Sequence, residues 1–173
     1  MRKRAWLLAA IFAAAAVHAE EFGLGHVPDA ETLRTADSAI GPRGAELPPG
    51  RGSVAEGAQL YAQQCAACHG ATGREGPDPV LMGGQGSLAG DKPIQTIGSF
   101  WPYATTVFDY IRRAMPFTAP GSLSNEQVYA LTAFLLAANG VVPQDSVLDR
   151  VSLEAVRMPN RDGFTPDPRP RAP

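Results

Sequence analysis

At 173 residues, with 45% apolar and 18% charged side chains, the chain has the size and balance of one ordinary globular domain. Its 18 glycines and 16 prolines impose turns and extended segments, which excludes an all-helical bundle with short loops. The formal net charge of −2 includes a basic cluster at the N-terminus, Arg2, Lys3 and Arg4.

That cluster heads an unbroken apolar run from Ala5 to Val17, and Val17-His18-Ala19 then offers the small or tolerated residues a signal peptidase reads. Residues 1–19 are therefore expected to be a secretory signal cleaved near Ala19/Glu20, which makes the protein periplasmic. Such a run gives about 20 Å of helix, short of the roughly 30 Å hydrocarbon core, so retention as a membrane anchor is the weaker reading. No other run approaches spanning length, and no membrane span is expected in the mature chain. Removing the cluster leaves 12 Lys and Arg against 17 Asp and Glu, a net charge of −5. An acid excess of this kind argues against a nucleic-acid partner, which requires a concentrated basic face.

Residues 20–52 lack a sustained period and end in Pro48-Pro49-Gly50, which reads as an extended N-terminal arm. A compact domain is expected over 53–140. Ser53 and Glu56 form an S-x-x-E capping box, and Val54, Ala58, Tyr61, Cys65 and Cys68 recur at helical spacing until Gly70 and Gly73. The helix therefore ends on Cys65-Ala66-Ala67-Cys68-His69. At i, i+3 and i+4, both sulfurs and the imidazole project from one helix face, so one porphyrin can take two thioether links and an axial nitrogen from a single turn. This is the attachment signal for one covalent haem c.

Other readings of the two cysteines fit less well. Structural zinc needs four ligands, and beyond the signal the chain offers only Cys65, Cys68, His26 and His69. A thioredoxin-like CxxC expects a strand before the motif and a helix opening at it. A disulfide between residues three apart gains little chain entropy.

The iron ligands are expected to be His69 and Met115. The periodic stretch from Tyr103 to Ala114 carries Val107, Phe108 and Ile111 on one stripe, and Pro116 ends it at Met115, placing a thioether at a helix exit. Met82 lies in a Gly-rich turn and is expected at the haem edge, whereas Met158 and His26 need long returns; gap-filling in the core is the plain alternative for each methionine. His69 should donate its second ring nitrogen to a backbone carbonyl, with Pro79 favoured over Pro77. Leu81 and Trp101 are expected against the haem, with Phe108, Ile111, Phe117, Leu131 and Leu135 keeping water from the iron. Trp101 and Tyr103 can alternatively reach a propionate through their polar tips.

Ser124 with Gln127 repeats the capping box, Val128, Leu131, Leu135 and Ala138 give the next helical face, and Asn139-Gly140 is its stop. This helix is expected to pack on the first and to enclose the haem with it. Residues 141–173 form a Pro-rich C-terminal strap or tail, in which Val147, Leu148, Val151, Leu153, Val156, Met158 and Phe164 are too apolar for a solvated segment. Residues 141–165 therefore read as a strap over this domain or over another subunit, and neither arm is expected to form a core. The fold class is mainly α, with three to four helices around one covalent haem and long extended arms.

Beyond the attachment motif, Leu47-Pro48-Pro49-Gly50, Gly83-Gly84-Gln85-Gly86, the run Thr96 to Thr106, Asp109 to Phe117, Leu123-Ser124, Val128 to Leu131 and Met158 to Phe164 carry a more particular likeness. With them the chain resembles a class I c-type cytochrome, and more narrowly the cytochrome subunit of bacterial sulfane or sulfite dehydrogenases. The resemblance implies a molybdenum-containing dehydrogenase subunit that oxidises a sulfur substrate and passes electrons singly to this haem, and a downstream c-type cytochrome that receives them. It also implies Met115 as the distal ligand. The single CxxCH departs from the di-haem members of that group, so each electron must leave before the next arrives. No bond of a substrate is then broken on this chain. The alternatives are a free-standing, diffusible electron-carrier cytochrome of another respiratory pathway, and a catalytic haem with an open sixth site.

Overall fold

The computed structural model describes residues 25–36, 38–166 and 168–169, so the expected signal segment lies outside the described residues. The chain divides into two units, residues 1–37 and 38–173. In the first, helix α1 spans Ala30–Ala36. Asp29 starts it, its carboxylate accepting the Thr32 amide at 2.7 Å. No helix was expected within this arm, because seven residues are too few to display a period; the Asp cap was the available signal.

The second unit runs β1 (Arg51–Ser53), α2 (Val54–Gln64), α3 (Ala66–His69), α4 (Ala104–Ala114), α5 (Asn125–Ala138), β2 (Val147–Asp149) and α6 (Arg150–Glu154). It is mainly helical, and the helices beyond the expected three or four are short. Both expected capping boxes form: the Ser53 amide donates to Glu56 at 2.8 Å and the Ser124 amide to Gln127 at 2.8 Å, each answered by the return bond from N3 to the cap hydroxyl. Asp149 and Ser152 make a third. Each such cap contributes about 1 kcal/mol.

Helix α5 is the centre of the unit. Val128, Tyr129, Ala133 and Leu136 are wholly buried although they occupy different faces, because α2, α4, β1 and β2 all pack against this one helix. Its inward hydroxyl is satisfied locally, Thr132 donating to the Val128 carbonyl at 2.7 Å. The α2–α5 crossing is a backbone contact: a Cβ at Gly57 would lie 1.9 Å from the Ala130 carbonyl oxygen. There is no space for a porphyrin between these helices, so the expectation that they enclose it is corrected. The two small residues let the helices meet directly.

Both flanking segments contribute to the core: residues 141–165 in the manner of a strap over this domain, and the N-terminal segment contrary to its expected role as an extended arm. Ile40 and Leu47 from one side, and Leu148, Leu153 and Met158 from the other, are all at most 4% exposed. β1 and β2 pair antiparallel with Gly52 opposite Leu148, tying the two segments together. The 141–165 segment thus straps its own unit. Residues before α2 are also held through α4, where the buried Asp109 carboxylate accepts the Ile40 amide at 2.9 Å and Arg113 Nε at 2.9 Å.

Burial pushes the Asp109 carboxyl up, but Arg113 and the Ile40 amide outweigh it and hold the group below the usual carboxylate value. A carboxylate held low adds stability above its unfolded value and loses it as pH falls through the folded one. Asp109→Asn is therefore expected to melt below the parent at pH 7, with the gap closing as the pH is lowered through 3.8 and below. A gap that stays constant in melts between pH 7 and 3 would refute this role.

Candidate functional site

Cys65 closes α2 and opens α3, with φ −120° and ψ −35°, so the helix expected to run through the motif breaks at its first cysteine. The turn after the break is held by bonds from the Cys68 and His69 amides to the Cys65 carbonyl, at 3.1 and 2.9 Å. Gly70, at φ +82°, ends it, and the Tyr61 hydroxyl donates to the Gly70 carbonyl at 2.8 Å. Tyr61, not singled out from the sequence as a site residue, thereby fixes the far end of the motif from α2.

Both cysteines are free thiols. Burial pushes Cys65 up to about 11, with Cys68 adding to the effect. Cys68 is raised by its hydrogen bond to Asp78, then by burial. A redox-active CxxC requires a depressed thiol pKa, and this environment does the opposite. Paired, unbridged thiols beside an imidazole on one short turn are a donor set suited to covalent haem.

The His69 ring is oriented from behind. Its Nδ1 lies 2.9 Å from the Pro79 carbonyl. A carbonyl only accepts, so Nδ1 carries a proton, and in the neutral ring the Nε2 lone pair is then the one free for a metal. The loop bearing Pro79 is pinned on both sides, the Asp78 amide donating to the Cys68 carbonyl at 3.1 Å and the Leu81 amide to the Gly73 carbonyl at 2.9 Å.

Cys65, Leu81, Trp101 and Met115 all lie half-buried against the same core. Met115 leaves α4 in an extended conformation, φ −122° and ψ 148°, with its amide still bonded to the Ile111 carbonyl. Met82 and Met158 are buried in the core, 6% and 3% exposed, whereas His26 is exposed in the other unit. Trp101 packs edge-on against Tyr110, ring centroids 5.7 Å apart. Phe108, Ile111, Leu131 and Leu135 are buried, but Phe117 is 83% exposed on the turn after Pro116. It is therefore not among the residues that this fold buries.

Residues 52–135 match the family model of the cytochrome c oxidase, cbb3-type, subunit III. Over 86% of its length the chain aligns with 73% of a chain in the crystal structure of the sulfane dehydrogenase SoxCD from Paracoccus pantotrophus, at 47% identity and a TM-score of 0.75. The chain belongs to the c-type cytochromes. Covalently bound haem c is accordingly its cofactor, and the free thiols and the Nδ1-protonated His69 suit that group. The cytochrome is also 32% identical over 120 residues to the thiosulfate dehydrogenase of Stutzerimonas stutzeri (strain A1501). That match takes in 64% of the cytochrome but 35% of the relative, so the cytochrome spans about a third of that protein's length. Among the described residues no helix is long and apolar enough to cross a membrane.

Proposed function

We propose that this protein is a periplasmic mono-haem electron-transfer subunit, taking electrons from a molybdenum-containing sulfite or sulfane dehydrogenase subunit and passing them to a downstream c-type cytochrome. The observation that carries this reading is the 47% identity to the SoxCD chain over 86% of the sequence. The thiosulfate dehydrogenase match adds a second relative from sulfur oxidation. One CxxCH motif supports one haem.

In this reading Cys65 and Cys68 would hold the haem by thioether links, and His69 Nε2 and the Met115 thioether would ligate its iron. The haem supplies the one-electron couple. The chain supplies position and environment: Pro79 fixes the tautomer and angle of the imidazole, while Leu81 and Trp101 wall the site and exclude water. A thioether paired with an imidazole as ligands would raise the potential, which suits an electron acceptor.

A diffusible carrier is the second reading, favoured by one observation: Leu148, Leu153 and Met158 of the strap are buried in their own unit and are not held out for a partner. Size-exclusion chromatography of the native protein, following haem absorbance and molybdenum before and after adding sulfite or thiosulfate, separates the two. Co-elution of both signals, with substrate-dependent haem reduction, is expected for the subunit. Elution as a lone haem protein that the substrate leaves oxidised would overturn it in favour of the carrier.

A further inference from the structure

Helix α5 ends in a buried polar residue that its own termination does not require. Gly140, at φ +68°, already closes the helix: its amide donates to the Ala137 carbonyl at 2.9 Å and the Val141 amide to the Leu136 carbonyl at 2.9 Å. Asn139 precedes it, only 6% exposed, with every polar atom of its side chain engaged. Nδ2 donates to the Leu135 carbonyl at 2.8 Å and to the Leu81 carbonyl at 3.1 Å, and Oδ1 accepts the Gly83 amide at 3.0 Å. The Asn139 carbonyl accepts Gln85 Nε2 at 2.8 Å. Three of these four bonds leave the helix for residues 81–85.

That loop carries the carbonyl facing His69. Between the Asp78 amide, bonded to Cys68, and Leu81, bonded to Gly73 and Asn139, Pro79 lies on a span too short to reorient by itself. An amide side chain suits the task, because it meets a carbonyl with its donor and an amide with its acceptor. A carboxylate at the same place would set an oxygen against the Leu81 carbonyl, and an apolar group would leave the Gly83 amide without its partner. The bond from Nδ1 to a carbonyl in turn raises the basicity of a ligating imidazole and fixes its ring angle.

We propose that Asn139 is a positioning residue for His69, holding the Pro79 carbonyl against its imidazole from the end of α5. This rests on the reading of His69 as an iron ligand. The test uses the haem-loaded protein and the variants Asn139→Asp and the milder Asn139→Ser, with Leu136→Ala as a control that weakens the same helix through its core. Two quantities are read well below each melting temperature: the midpoint potential, and the hydrogen–deuterium exchange of the His69 Nδ1 proton by NMR of the reduced protein.

Asn139→Ser is expected to keep the low-spin spectrum, to raise the potential because the imidazole becomes less basic, and to speed the exchange on the order of tenfold; Asn139→Asp is expected to speed the exchange likewise, while its added negative charge acts on the potential in the opposite sense. Leu136→Ala is expected to melt lower yet keep the parent's potential and exchange. A parental potential in Asn139→Ser, parental exchange in either Asn139 variant, or an equal change in Leu136→Ala, would overturn the proposal. A His69→Ala protein that retains the parent's low-spin spectrum would overturn the ligand reading beneath it, and with it the role of Asn139.

Discussion

Met115→Ala is expected to lower the midpoint potential on the order of 0.1 V, a modest part of the roughly 0.8 V over which axial ligands spread haem potentials. The same variant is expected to bind carbon monoxide when reduced, and to lose the iron–thioether absorption band when oxidised. The expectation comes from where the fold puts its sulfurs. Met82 and Met158 are enclosed in the core, and withdrawing either would leave a cavity in close-packed surroundings. Met115 is half-buried at the exit of α4, where the extended backbone carries it out of the helix. Met82→Leu and Met158→Leu should therefore leave the spectrum at parental values. An unchanged oxidised spectrum in Met115→Ala would assign the sixth ligand elsewhere.

Gly57→Ala is expected to be strongly destabilising. Helix propensity alone favours alanine by about 1 kcal/mol, so a neutral site would gain stability. Here the added carbon would lie 1.9 Å from the Ala130 carbonyl oxygen and 2.5 Å from its carbon, which are backbone atoms that cannot swing aside. α2 and α5 must part, and overpacking of this kind costs about 1–3 kcal/mol. For a unit of this size that corresponds to a melting temperature lower by roughly 3–10 °C. Thermal melts of the haem-loaded variant check it, and a rise in melting temperature would mean that the crossing is looser than the geometry requires.

The parts of this fold legible in the sequence are those written within a few residues. Ser53 with Glu56 and Ser124 with Gln127 place the starts of α2 and α5 because a capping box is a local reciprocal bond, and Pro116 places the end of α4 because it constrains the residue before it. The attachment motif is legible for the same reason. What escaped was non-local or too short to be periodic. Nothing near Asp109 announces Ile40 as its partner, β1 and β2 are three residues each, and the break at Cys65 interrupts a continuous apolar pattern. Asn139 reads in sequence as a helix stop, and only the tertiary structure brings it to residues 81–83. The direct meeting of α2 and α5 left one trace, the small residues Gly57 and Ala130, which the periodicity of the larger side chains obscured.

The ladder between β1 and β2 determines how little of this chain can stand alone. Cutting where the helical pattern stops, after Gly140, would strip Leu148, Leu153 and Met158 from the core and leave the Gly52 edge without its partner strand. Cutting just before Ser53 would remove Ile40 and Leu47, together with the amide that satisfies Asp109. The smallest autonomous cytochrome unit thus extends well past both ends of the α2–α5 segment, to about residues 38–164. Any fusion or transplant of this module should be joined outside those limits.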